Sequence, residues 1–102
     1  MGVSNQPAPH PGEILRQKFL EPLELSAYAL ARRMNVPRTR VERIADERIG
    51  VTADTALRLS RALRTTPQLW LDLQREYELA IIERALGREL ALIEPIKRGR
   101  RK

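Results

Sequence analysis

Ser26-Ala-Tyr-Ala-Leu-Ala-Arg-Arg-Met-Asn35-Val-Pro-Arg-Thr-Arg-Val-Glu-Arg-Ile-Ala45 is the stretch whose reading decides the fold. It reads as two short helices meeting at a tight turn. Ser26 is an N-cap residue type, and Ala27, Leu30, Ala31 and Met34 come after it at helical spacing. Ala31 stands where a second helix must approach closely. Asn35 stands where the first helix must stop, and Asn enters the left-handed region more readily than other residues with a side chain. Pro37 is expected at the first position of the next helix, which runs to about Ala45 or Asp46. Val36, Val41 and Ile44 supply apolar plugs, while Thr39, Glu42, Arg43 and Asp46 point outward. The pattern implies a helix-turn-helix whose second helix is shaped for a DNA major groove.

Working outward, residues 1–10 lack periodicity and read as a flexible N-terminal arm. Pro11 opens a helix through Leu20, with Ile14, Leu15 and Phe19 on one face, and Glu21-Pro22 ends it. The loop Glu47-Arg-Ile-Gly-Val51 has Gly50 as its breaker. Thr52 caps a fourth helix with Ala56, Leu59 and Leu63 as its buried stripe; Asp54 sits near its N-terminus and Arg61 and Arg64 near its C-terminus. Thr66-Pro67 starts a fifth, with Leu69, Trp70, Leu73, Tyr77, Ala80 and Ile81 recurring at three- and four-residue intervals. Trp70 and Tyr77 are expected in the core. A second stripe of Leu79, Ile82, Leu86, Leu90 and Ile93 fits a dimer seam, a partner surface or further core equally well. Gly87 breaks or kinks this helix, and Pro95 ends the helical segment beyond it. The domain plan is an arm over 1–10, a helix-turn-helix domain over 11–81, a helical extension over 82–95 and a basic disordered tail over 96–102. Without strand-like alternation, the fold class is all-α: a five-helix phage-repressor-like domain with a C-terminal helical extension.

The 102 residues allow one small domain, and aromatics make up only 4% of them, which suits a Leu/Ala/Ile helical core. Absence of cysteine excludes disulfides and thiolate metal sites and makes a cytoplasmic location the simpler expectation. No apolar run reaches the ~20 residues that span a bilayer, so no membrane partner is expected. The net charge of +6 is unevenly placed: residues 32–65 are net +5 with nine arginines, residues 66–96 are net −3, and residues 97–102 carry five bases. A basic reading unit is the footprint of phosphate contact, and the acidic segment suggests a second partner.

Arg43 and Thr39 are the base-edge candidates, since Arg donates bidentately to guanine O6 and N7. Arg38, Arg40 and Arg48 are placed on phosphates, where they set register. Glu42 either accepts from cytosine N4 or pairs with Arg38 one turn earlier. His10 has no second His or Cys near it, and Ser26 and Ser60 have no His partner, so neither a metal site nor a nucleophile emerges. The chain is read as a non-enzyme, with no cofactor and no small-molecule substrate.

His10-Pro-Gly-Glu-Ile-Leu15, Leu30-Ala31, Arg38-Thr39, the run Thr52-Ala-Asp-Thr-Ala-Leu-Arg-Leu-Ser-Arg-Ala-Leu63 and the run Thr66-Pro-Gln-Leu-Trp-Leu-Asp-Leu-Gln-Arg-Glu-Tyr77 together resemble a HigA-type antitoxin over roughly residues 10–80. The departures are Asn35 at the usual turn glycine and Pro37 where serine is frequent. The resemblance implies a homodimer on operator DNA of its own operon and neutralisation of a cognate RelE-like, mRNA-cleaving toxin. Two reading helices one turn apart, roughly 34 Å, imply a palindromic operator. The alternatives are a stand-alone Xre-type regulator without a toxin, or an interaction module that no longer reads DNA.

Overall fold

The computed structural model describes residues 8–99; most of the expected arm (1–7) and the last three residues of the basic tail lie outside that range. Among the described residues all regular structure is helical: α1 Pro11–Ile14, α2 Ala27–Met34, α3 Arg38–Ala45, α4 Ala53–Leu63, α5 Pro67–Ala85 and α6 Gly87–Ala91. The expected caps are present. The Ser26, Thr52 and Thr66 hydroxyls accept from the backbone N–H groups of Ala29, Thr55 and Leu69 at 3.0, 3.3 and 3.1 Å. Each satisfies one of the orphan donors of a helix start. Asn35 takes φ 59°, ψ 48°, and its N–H bonds back to α2, so the turn forms as its residue type implies.

Three local expectations are corrected. The first helix does not stay α-helical to Leu20: from Leu15 to Leu20 it widens into a π-helix, with the Glu21 N–H bonded to the Arg16 carbonyl at 2.9 Å. The wider turn keeps Leu15 fully buried while Phe19 reaches Trp70, ring centroids 5.5 Å apart. Pro37 is the N-cap of α3 rather than its first residue, with φ −63° and ψ 146°. Its ring fixes φ alone, and that φ suits both positions. Gly50 does not end α3 through conformational freedom. Glu47 takes the left-handed turn, φ 64°. Gly50 serves instead as a close approach, since a Cβ there would lie 2.7 Å from the Gln74 side chain, whose Oε1 accepts from the Val51 N–H at 2.8 Å.

The core gathers Leu15, Leu30, Ala31, Met34, Val41, Ile44, Ala45, Val51, Ala56, Leu59 and Trp70, drawn from the π-helical stretch, α2, α3, the loop before α4, α4 and the start of α5. Ala31 is 1% exposed, as the close packing of α2 on α3 requires. Trp70 is fully buried and its indole N–H donates to Thr65 Oγ1 at 2.8 Å, so the ring fills the centre without an orphaned donor. Tyr77 and Leu63 are only half-buried, and Leu69 and Ile81 are exposed.

The boundary expected between Ile81 and Ile82 falls inside α5, which continues to Ala85. The chain kinks at Leu86, φ −99° and ψ 9°, and resumes as α6; Gly87 opens that last helix in uncrowded space. Helicity ends at Ala91, four residues before Pro95. Everything from Ile81 to Gly99 is exposed, so the second apolar stripe is not core of this protomer. No helix among the described residues is long and apolar enough to cross a membrane.

His10 falls at the end of the expected flexible arm, yet it is 4% exposed. Its Nδ1 accepts from the Gly12 N–H at 2.8 Å, capping α1, and its ring meets Tyr77 edge-on at 4.8 Å. Burial pushes the imidazole below the ordinary histidine value of 6.5; Glu47 and a hydrogen bond to Ile49 oppose this, and Arg16 reinforces it. The unfolded chain therefore takes up the proton first as pH falls. Stability is full above about pH 6.5 and decreases below it, levelling off once the folded-state imidazole also protonates. Urea unfolding at pH 7.5 and pH 5 should show this loss. His10→Asn, which can still cap but does not titrate there, should flatten it; an equal pH dependence in both would assign the loss elsewhere.

Candidate nucleic-acid interface

The outward face of α3 is built by the 3.6-residue repeat that buries Val41, Ile44 and Ala45. Thr39 and Arg43, four residues apart on that face, are both exposed, and no carboxylate among the described residues lies within ion-pairing distance of Arg43. Arg38 pairs with Glu42 at 3.2 Å, the second of the two roles open to Glu42. Arg40 leans off the face towards α4 and meets Asp54 Oδ2 at 3.3 Å. Arg48 is exposed on the loop beyond α3, its N–H bonded to the Arg43 carbonyl at 2.8 Å. The structure thus brings Arg38, Thr39, Glu42 and Arg43 together, sets Arg40 on the flank and places Arg48 past the far end of the helix.

Several residues that hold this surface escape sequence reasoning. Arg16 reaches the end of α3, donating to the Ala45 carbonyl and pairing with Glu47 at 3.0 Å. It satisfies an orphan carbonyl and steadies the left-handed residue that ends the helix. Gly12 fits against the same end, since a Cβ there would come within 1.8 Å of the Ile44 carbonyl oxygen. Arg58 donates to the Met34 carbonyl at 2.8 Å and to that of Asn35 at 3.4 Å, and its Nε bonds Asp54 Oδ1 at 2.7 Å. The hydrogen bond from Arg58, and then the charges of Arg58 and Arg40, hold the Asp54 carboxyl below the usual carboxylate range. Only the Asp54/Arg58 pair leaves a local signal, the i,i+4 spacing of opposite charges. α3 is therefore held at its start by α4 and at its end by α1.

An arginine-bearing helix, packed over α2 across a left-handed asparagine turn and backed by three further helices, defines a helix-turn-helix protein of the phage-repressor type. No family model matches the chain. It is 48% identical over 82 residues to virulence-associated protein I of Dichelobacter nodosus, covering 80% of this chain and 76% of that protein. It is 33% identical over 85 residues to antitoxin HigA-1 of Vibrio cholerae, covering 83% and 80% of the two. Among solved structures it is similar to the antitoxin HigA of Pseudomonas aeruginosa with the higBA promoter, with a TM-score of 0.84 and 43% identity over 88% of this chain and 99% of that one. The chain belongs to the HigA-type antitoxin family.

Proposed function

We propose that this chain is a sequence-specific DNA-binding antitoxin that acts in the cytoplasm as a dimer. It represses its own operon and neutralises a cognate RelE-like, mRNA-cleaving toxin. The observation that carries the DNA reading is the exposed Thr39/Arg43 face of α3, flanked by Arg38, Arg40 and Arg48. Arg43 and Thr39 read base edges. Arg40 and Arg48 hold phosphates at either end of the helix, and Arg38 joins them at the N-terminal end while sharing its charge with Glu42. The Arg38–Glu42 pair favours Glu42 as an orienting group over cytosine contact. Toxin neutralisation rests on family membership and on the acidic segment carried mainly by α5.

A palindromic operator calls for two copies, and the exposed stripe of Leu79, Ile82, Leu86 and Leu90 supports a seam for the second. These residues are 60, 52, 39 and 41% exposed and line one shared apolar groove, a surface of the kind that marks an interaction site. Glu83, Arg84, Arg88 and Glu89 lie among them. A border of both signs suits neither a strongly basic nor a strongly acidic partner, whereas another copy of the same chain matches both.

Binding to a duplex taken from upstream of the gene, measured by fluorescence anisotropy at several salt concentrations, tests the reading. Arg43→Ala should weaken operator binding by about 1–3 kcal/mol and relax selectivity at one base position. An unchanged base preference would remove Arg43 from the reading set. Co-purification with the product of the adjacent gene separates an antitoxin from a regulator that works alone.

A further inference from the structure

Asp54 puts a carboxylate on the flank of a surface meant for a polyanion. A favourable helix start accounts for an acidic residue near the beginning of α4, but not for its two arginine partners from different elements. Those partners are held unequally. Arg58 bonds Asp54 at 2.7 Å and also the Met34 and Asn35 carbonyls, so it cannot leave without uncapping the turn. Arg40 bonds Asp54 at 3.3 Å, and among the described residues its guanidinium has no other hydrogen-bond acceptor. If one arginine is to be released, it is Arg40, and its departure leaves the carboxylate still paired with Arg58.

We infer that Asp54 is a specificity-determining residue that holds Arg40 in reserve, releasing it to a phosphate only when α3 is seated in the groove. On loosely docked DNA a phosphate must displace Asp54 and approach its negative charge, so indiscriminate contact is suppressed. On a seated operator the phosphate arrives at fixed geometry, and the exchange of one anionic partner for another costs little. This inference rests on the proposed DNA reading of α3.

The test is a cycle of Asp54→Asn with Arg40→Ala. The operator duplex and a scrambled duplex of equal length are titrated across a salt series, with melting temperatures to confirm folding. Asp54→Asn should tighten scrambled-duplex binding about tenfold for a dimer with two freed arginines, and operator binding less, so the selectivity ratio falls. The salt dependence on scrambled DNA should steepen by about one unit per protomer. Asp54→Ser, uncharged and compatible with a helix start, should behave alike. In the Arg40→Ala background the ratio should no longer respond to Asp54→Asn. An equal fall in both backgrounds, or no fall in either, overturns the inference. If the unaltered chain does not distinguish the two duplexes, the DNA reading itself fails.

Discussion

Gly12→Ala is expected to destabilise the fold by at least about 3 kcal/mol, at the upper end of overpacking costs. The added methyl would lie 1.8 Å from the Ile44 carbonyl oxygen and 2.9 Å from its carbon, both backbone atoms of α3. No rotamer relieves such a clash; the start of α1 must withdraw from α3. Withdrawal also strains the reach of Arg16 to Ala45 and Glu47, and disturbs the His10 cap on the Gly12 N–H. Urea denaturation measures the loss. A variant within about 0.5 kcal/mol of the parent, the range of an ordinary surface change, would refute the close contact. The damage should reach DNA binding as well, because the end of α3 that Gly12 touches is the end that precedes Arg48.

Ile82→Glu is expected to convert the proposed dimer to a monomer without unfolding the protomer. Ile82 is half-exposed and contributes nothing to the core, so glutamate there is solvated in the isolated chain. In a seam of two apolar stripes it would bury two like charges, each costing several kcal/mol, more than an ordinary dimer of this size can absorb. Sedimentation at micromolar concentration should give half the parent mass with unchanged helical circular dichroism. Persistent dimers would move the seam off this stripe. Loss of the second protomer should also cut operator affinity by at least about thirtyfold, since a single reading helix forgoes about half of the roughly 4–10 kcal/mol by which complete specific sites exceed non-specific binding.

Legibility from sequence divides along the distance between partners. Caps are local: Ser26, Thr52 and Thr66 each act on a backbone N–H three residues away, so residue type and spacing suffice. The Asn35 turn is local too, as is the outward face of α3, set by the positions of Val41 and Ile44. The π-helical stretch is hidden because six residues carry too little periodicity to distinguish its wider turn from 3.6 residues. His10 is hidden because a lone histidine beside Pro and Gly looks like loop until Tyr77 is brought over it. The supports of α3 are hidden for the same reason: Arg16 acts across 31 residues on Glu47, Arg40 across 14 on Asp54, and Gln74 across 23 on Val51. Gly50 stands out in the sequence while its partner Gln74 does not, so its role reads there as backbone freedom. The proposed base contacts depend on α3 alone, and that is why they are legible without the fold.

α5 has one end embedded beside Trp70 and Gln74 and the other standing clear of the body with Leu79 and Ile82. A helix of this kind works as a threaded spacer, with each residue advancing it about 1.5 Å and rotating it by about 100°. In the proposed assembly, the number of residues between Trp70 and Ile82 fixes how far apart, and at what relative angle, the two copies of Arg43 are presented. Operator phasing is then encoded in chain length as much as in side chains, and relatives that differ by a single residue there would require differently spaced half-sites even with identical reading helices.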